Sequence, residues 1–191
     1  MKRRVANEFF AVSDENQEYF DIPAPWGSVR LTLAFGELWS VAFSLDPPQQ
    51  TSTVNPALNH WADLTDAMLQ SATPLTPQDR TALFSTRRWQ ALSPVSRAVL
   101  ERVATIPCGQ FRTYSHLAQE IGNPKAVRAV GRIMASNPFP ILVPCHRVVS
   151  KHMLGAMDMT NPKSFEGTAF GGCPEFVPIG AWLRINDLTH A

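Results

Sequence analysis

The sequence predicts a mixed α/β (α+β) fold: a small N-terminal antiparallel sheet with helices, then a C-terminal helical domain containing a helix-turn-helix. Three observations carry this. Apolar residues alternate with polar or small ones between Gly27 and Phe43. Segments with helical spacing fill much of the stretch between Pro56 and Ile106. Two short helical patterns then meet at Gly122-Asn123-Pro124.

In chain order, residues 27–45 read as a hairpin. Val29, Leu31, Leu33 and Phe35 point to one side, Phe35-Gly36-Glu37 turns, and residues 38–43 return. Residues 46–53 (Asp-Pro-Pro-Gln-Gln-Thr-Ser-Thr) form a loop. Helices are expected over 56–70 and 77–84, separated by the Thr- and Pro-rich stretch 71–77. Thr86-Arg87-Arg88 marks a domain boundary, giving 1–88 as a supporting sheet and helix domain and 89–191 as the second domain. A helix over 94–106 follows, with Leu92, Val95, Val99, Val103 and Ile106 along one side.

Thr113 can cap a helix whose Tyr114, Leu117 and Ile121 share a face. Gly122 stops it, Asn123 caps the next, and Pro124 suits a first turn, where no amide donor is needed. That second helix, over 124–135, buries Val127, Val130 and Met134. It turns Arg128, Gly131, Arg132 and Ala135 outward. A small-residue face carrying arginines can approach a nucleic-acid groove closely, although such helix pairs also occur as plain core elements. Residues 150–180 read as irregular, and a short last helix lies near 181–185.

Composition narrows the classes. There is no long apolar run, and the Met1-Lys2-Arg3-Arg4-Val5-Ala6 start lacks the apolar core that export requires, so neither a membrane span nor secretion is expected. Three cysteines (Cys108, Cys145, Cys173) suit a reducing compartment without a disulfide framework. They do not make a zinc pattern, so no metal and no cofactor are expected. Residues 1–85 hold five Lys and Arg against ten Asp and Glu, a net −5. Residues 86–191 hold twelve against six, a net +6. The basic half fits contact with phosphates, and the acidic half should lie away from them; six net charges are also within the range of an ordinary solvated surface.

The chemistry concentrates in Pro144-Cys145-His146-Arg147-Val148, just after the apolar run Ile141-Leu142-Val143. A thiol is a nucleophile only as thiolate, and an imidazole with a pKa near ~6.5 can take its proton. Apolar burial alone would raise the thiol pKa, so the two side chains make chemical sense together. The five residues equally fit a buried structural cysteine beside a hydrogen-bonding histidine.

The order Tyr114, Gly122-Asn123-Pro124-Lys125, Arg128-Ala129-Val130-Gly131, Asn137-Pro138 and Pro140-Ile141-Leu142-Val143-Pro144-Cys145-His146-Arg147-Val148 resembles the O6-alkylguanine-DNA alkyltransferase (methylated-DNA–protein-cysteine methyltransferase) family. The close likeness runs from about Leu92 to Val149, and a weaker one covers Trp26 to Phe43. It implies direct, stoichiometric transfer of an alkyl group from O6-alkylguanine in double-stranded DNA to Cys145, by a monomer that is consumed. The compartment would be cytoplasmic and DNA-associated, or nuclear in a eukaryote. The target base must be flipped out. The resemblance makes Arg128 the residue that fills the vacated stack and Tyr114 the one that crowds the backbone and then hydrogen-bonds the leaving guanine. His146 would accept the Cys145 proton, through water. Ser115, Ala129, Gly131 and Arg132 would face DNA. Asn137 would fix the turn between recognition helix and active-site segment, with Pro140, Val143 and Arg147 shaping the base pocket.

Departures from the family pattern also matter. The glutamate that should orient the histidine is expected just before a tryptophan, and Ala181 stands there, before Trp182. Glu166 or Glu175 would be needed to replace it, and Ala169-Phe170-Gly171-Gly172 to supply the pocket wall. Arg132 stands where a small residue is usual. An alkyltransferase-like lesion sensor, binding alkylated bases with little or no transfer, is therefore the alternative, and a helix-turn-helix regulator without lesion chemistry a third. The intact cysteine motif favours transfer.

Overall fold

Val29, Leu31 and Leu33 are at most 1% exposed, while Arg30 and Thr32 between them stay partly open. This alternation makes β2 (Gly27–Ala34) the centre of a three-stranded antiparallel sheet, between β1 (Gln17–Ala24) and β3 (Glu37–Ser44). The computed structural model describes residues 17–49, 55–156 and 177–190. The 27–45 hairpin is present, and its two turn residues, Phe35 and Gly36, both have positive φ (56° and 74°). That is the backbone of a two-residue turn matched to strand twist. β1 was not anticipated. Its register sets Asp21 opposite Arg30, whose Nε and Nη2 donate to the carboxylate at 2.7 and 2.8 Å.

The helices form from local signals. α1 (Pro56–Ser71) begins where the Asn55 side chain accepts from Ala57 N, and α2 (Pro77–Ser85) has a reciprocal Thr76–Asp79 capping box. At Thr86-Arg87-Arg88 the chain winds into a short helix, α3 (Arg87–Gln90), capped by Thr86. α4 (Pro94–Ala104) stops two residues short of Ile106. Val99, Val103 and Ile106 are buried, but Val95 is 52% exposed, against expectation. Positions four apart drift by about 40° around a helix, so Val95 has left the face that buries Val103.

The helix-turn-helix is present with a modified second half. Thr113 Oγ1 accepts from His116 N at 3.1 Å to start α5 (Tyr114–Glu120), and Gly122 ends it at φ 73°. The Asn123 side chain makes no capping bond. Residues 124–126 instead form a 3-10 turn before α6 (Val127–Ala135). The tighter turn rotates Val127 off the inner face, so it is exposed where burial was expected, while Val130 and Met134 are buried. Arg128, Arg132 and Ala135 are exposed on the opposite face, with Gly131 half-buried beside them.

Past the apolar run, residues 145–147 form a 3-10 turn and lead into β5 (Val148–Val149). That strand pairs in parallel with β4 (Arg112–Thr113), a ladder absent from the sequence expectation. α7 (Lys151–Ala156) opens the stretch read as irregular. Glu166, Glu175, Cys173 and the 169–172 segment lie outside the described residues. The last helix, α8 (Val177–Thr189), extends beyond 181–185 at both ends.

The sheet and the C-terminal elements share one core. Val41 N donates to Pro138 O at 2.8 Å, tying β3 to the loop after α6. Trp89 stacks between Phe84 and Phe139, at centroid distances of 4.2 and 6.3 Å. Trp182 of α8 meets Trp26 edge-on at 5.1 Å, and Asn186 Nδ2 donates to Leu69 O of α1 at 2.9 Å. Among the described residues no helix is long and apolar enough to cross a membrane.

Gly27 is a sharp test of the sheet. At φ 145° an added Cβ would lie 2.5 Å from Ser44 O and 2.7 Å from the Leu45 carbonyl carbon, both backbone. Gly27→Ala should lose about 1–3 kcal/mol of unfolding free energy in urea; a wild-type midpoint would contradict this geometry.

Candidate active site and nucleic-acid interface

Cys145, His146 and Arg147 occupy consecutive positions of the 3-10 turn, and all three side chains are buried. Their setting is made by two segments. On one side, Asn137 bridges the loop after α6, its Nδ2 donating to Val143 O at 2.9 Å and its Oδ1 accepting from Phe139 N at 3.1 Å. Ile141 takes φ 74° within this loop, and residues 137–149 are buried without a break. Pro140 and Val143 belong to that wall. On the other side, α8 packs against the turn.

α8 supplies the carboxylate. Asp187, 2% exposed, receives His146 Nε2 at 3.1 Å on Oδ2 and a two-pronged contact from Arg147, Nε to Oδ2 at 2.6 Å and Nη2 to Oδ1 at 2.7 Å. Arg147 Nη1 also donates to Ile106 O at 2.8 Å. This corrects the expectation that the site lacks a carboxylate because Ala181 occupies its place. Ala181 faces elsewhere, in a small apolar cluster with Phe111 and Val149. Neither Glu166 nor Glu175 is required. Arg147 is likewise more than a pocket residue, since it fixes the carboxylate that fixes the histidine.

The electrostatics follow from burial. Asp187 would be pushed up by desolvation, but the bonds from Arg147 and His146 outweigh it and hold the carboxyl well below the usual range. His146 is held below the ordinary imidazole value, chiefly by burial, although Asp187 pulls the other way. The charge of Asp187 is thus spent mainly on Arg147, and His146 stays neutral at pH 7. A neutral ring whose Nε2–H donates to Asp187 presents Nδ1 as a lone-pair acceptor. Nδ1 is buried and has no hydrogen-bond partner among the described residues. Burial pushes the Cys145 thiol up, opposed by hydrogen bonds from the Asn137 side chain and the Cys145 and His146 amides, and by the charge of Arg184. Cys108 donates its thiol to Asp187 O at 3.1 Å, and burial together with the neighbouring Asp187 charge pushes it up to about 11, so it remains a thiol.

Tyr114, at the start of α5, is half-buried, and its hydroxyl pKa is raised by burial and by Cys145, which places it in the electrostatic reach of the sulfur. Ser115 hydrogen-bonds Thr113 at 3.0 Å. Arg128 and Arg132 stand exposed on α6, with Ala129 and Gly131 half-buried around them. The described residues thus include a buried Cys145–His146–Arg147–Asp187 cluster and an exposed arginine-bearing helix, and among them no group of three or more His, Cys, Asp or Glu side chains is placed to hold a metal. Sequence reasoning missed Asp187 and Arg184. A signal existed for the first: Ile179, Leu183 and Asp187 are four apart, which puts a charged residue on the buried face of α8.

The described residues thus combine a helix-turn-helix with a buried Cys-His-Asp cluster. Residues 94–162 match the 6-O-methylguanine DNA methyltransferase DNA-binding domain. Over 66 residues the chain is 50% identical to a probable methylated-DNA–protein-cysteine methyltransferase of Acanthamoeba polyphaga mimivirus, covering 35% of this chain and 44% of the relative. It is 44% identical over 69 residues to the constitutive methylated-DNA–protein-cysteine methyltransferase of Bacillus subtilis, covering 36% and 42%. Each match spans less than half of the relative. The fold is similar to that of Mycobacterium tuberculosis OGT in complex with DNA, with a TM-score of 0.62 at 23% identity over 91% of this chain and 94% of that one. Over this domain the chain is thus similar to the O6-methylguanine-DNA methyltransferases, and its fold is theirs.

Removing Asp187 strands Arg147 in the interior. Asp187→Ala should therefore cost about 3–5 kcal/mol of stability in urea unfolding. Acid should act on the same cluster. Because His146 sits below its unfolded value, the unfolded chain binds the proton first and stability falls as pH drops below about 6.5. Because Asp187 is also depressed, its contribution is complete above about pH 4 and is lost below it. Unfolding free energies measured from neutral to acidic pH should show both declines, and His146→Gln should remove the upper one.

Proposed function

We propose that this protein repairs DNA by transferring an alkyl group from O6-alkylguanine in a duplex to the sulfur of Cys145, once per molecule. The observation that carries this reading is the Asp187 carboxylate on His146 Nε2, which leaves Nδ1 as the base for the thiol. The Cys145 proton passes through water to Nδ1. The thiolate attacks the alkyl carbon, a carbon–sulfur bond forms, and the carbon–oxygen bond breaks with its electron pair going to O6. The proton lost by the sulfur ends on guanine, with Tyr114 hydrogen-bonding the departing base. The product is a thioether, which thiol reductants do not reverse, so the protein is consumed.

The sulfur is buried, and a stacked base could not reach it. The nucleotide must rotate out, an unstacking that costs a few kcal/mol. Arg128, exposed on α6, would fill the gap. Ala129 and Gly131 would allow close approach, and Ser115 and Arg132 would meet the backbone. Asn137, Pro140 and Val143 would hold the wall of the base pocket. In this reading 89–191 carries recognition and chemistry, 1–88 braces it, and the protein acts as a monomer, in the cytoplasm or wherever the genome is kept. The lesion-sensor alternative drew on a missing carboxylate as well as on Arg132 and the altered pocket wall; Asp187 in contact with His146 removes the first of these grounds.

Incubation with O6-methylguanine duplex should add one methyl group to the peptide containing Cys145 and none to a Cys145→Ala variant, read by intact and peptide mass. Tight lesion binding with no mass gain would establish the sensor instead. Arg128→Ala should slow methyl uptake from duplex by about tenfold or more, as expected for losing part of a flipping free energy of a few kcal/mol. An unchanged duplex rate removes the intercalating role.

A further inference from the structure

Arg88, the second residue of α3, is 7% exposed. Its Nε is fully buried without a hydrogen-bond partner, and among the described residues its guanidinium joins no ion pair. It faces the ring of Trp39, 5.5 Å from the centroid. The carboxylate of the adjoining turn, Glu37, is engaged by Arg87 instead, accepting from its backbone N at 2.7 Å and lying 3.6 Å from its Nε. A guanidinium withdrawn from water is unfavourable unless an anion faces it, and a π face supplies only a weak attraction. The same corner carries an open ring. Phe35 is 53% exposed at φ 56°, a turn position that favours Asn, Asp or Gly. It meets Trp39 edge-on at 5.9 Å, and the Arg87 guanidinium lies 5.5 Å from its centroid. Arg97 adjoins the end of α3, its Nη1 donating to Gln90 Oε1 at 2.7 Å.

We propose that Arg88 anchors a second ligand site at the β2–β3 turn, where its guanidinium receives the phosphate of a nucleotide and the base stacks on Phe35. The site shares no residue with the alkyl-transfer reading and goes beyond it. The local charge calls for an anion, since three arginines meet here and the one carboxylate among these contacts, Glu37, already serves Arg87. Arg87 and Arg88 also open the basic half of the sequence. Of the Arg88 guanidinium nitrogens, Nε is the one that is both sealed and unpartnered, which leaves the Nη edge for an oxyanion. A planar guanidinium suits two oxygens of one phosphate or carboxylate. The open ring decides between them. Every nucleobase has a π face that an aromatic side chain can stack on, whereas an acidic peptide satisfies Arg88 and brings no flat ring to Phe35. The Arg88–Trp39 and Trp39–Phe35 contacts keep guanidinium and ring within the span of one or two nucleotides. A free nucleotide and a single strand of nucleic acid carry the same chemistry; in a duplex the bases stay stacked on one another.

The full-length protein labelled with ¹⁵N-arginine, titrated with thymidine monophosphate and with an unmodified oligothymidylate strand, tests this. The Arg88 Nε–H resonance, identified by its loss in Arg88→Lys, should move saturably with the strand. Movement with the monophosphate as well assigns the site to free nucleotides, and movement with the strand alone assigns it to single strands. Phe35→Gly suits the positive φ of that turn and should leave methyl uptake unchanged, yet raise the Kd read at Arg88 by about tenfold or more. A resonance indifferent to both probes overturns the proposal. So does one that moves with an oligoglutamate peptide alone, or a Kd unaltered by Phe35→Gly. Should Arg88→Lys fail to fold, ultraviolet cross-linking of the wild-type protein to the same strand decides: an adduct on the peptide holding Phe35 and Trp39 supports the site, and its absence there overturns it. Failure of methyl uptake would sink alkyl transfer and leave this site standing.

Discussion

A carboxylate at 2% exposure is stable only if something replaces the water it has lost. For Asp187 the replacement is Arg147, which meets both oxygens, with His146 sharing one of them. Arg147 is itself buried and fixed to the Ile106 carbonyl, so the three side chains hold one another in a single arrangement. Breaking such an arrangement is far costlier than its net contribution to stability suggests, because each survivor would be left charged or unpaired. The chemical consequence is specific. With its charge engaged by Arg147, Asp187 orients the imidazole without making it a cation, and a neutral imidazole is the form that can accept a proton.

The rest of the fold can be understood as holding α8 and the 137–149 segment at a fixed separation. Asp187 lies near the end of α8, where a small rotation of the helix would carry it off His146. Two contacts with the N-terminal half resist this: Asn186 on the Leu69 carbonyl of α1, and Trp182 against Trp26 at the β1–β2 turn. The opposite wall is braced in the same way, with Val41 of β3 bonded to Pro138 and Trp89 stacked on Phe139. The sheet thus supports both sides of the site without contributing a reacting group. Its charge agrees with that role, since the acidic half of the sequence forms the brace and the basic half carries the exposed arginines.

Much of this was legible in the residues, and the failures have physical causes. The β2–β3 hairpin, α1, α2, α4 and the helix pair follow from alternation, caps and helical spacing, signals confined to neighbouring residues. β1 has a weak pattern, Gln-Glu-Tyr-Phe-Asp-Ile-Pro-Ala, and is a strand because Asp21 meets Arg30 across the ladder. The parallel β4–β5 pair is two residues long on each side and leaves no periodic trace. Val95 and Val127 fell on predicted inner faces and are exposed, one through helical drift and the other through the 3-10 turn ahead of α6. At the site, Cys145 and His146 stand out because they are adjacent. Asp187 is forty-one residues from His146, and its partnership depends on where α8 docks. Looking for a carboxylate next to Trp182 used position in the chain, whereas facing direction decides: Ala181 points to Phe111 and Val149, and Asp187 to the histidine.

The geometry also constrains how recognition and chemistry can be joined. α6 ends at Ala135, and Asn137, two residues on, already holds Val143 and Phe139 in the wall that leads to Cys145. Only Ser136 separates the exposed arginine helix from the loop that fixes the sulfur. On the inner side, Val130 and Met134 anchor the helix in the core, so α6 cannot shift independently of the segment that leads to Cys145. In the repair reading, the register chosen by Arg128 on DNA is thus transmitted through one asparagine to the position of the sulfur. In the same reading the Asp187–His146–Arg147 arrangement is already fixed without DNA, and the base is the part that would have to move.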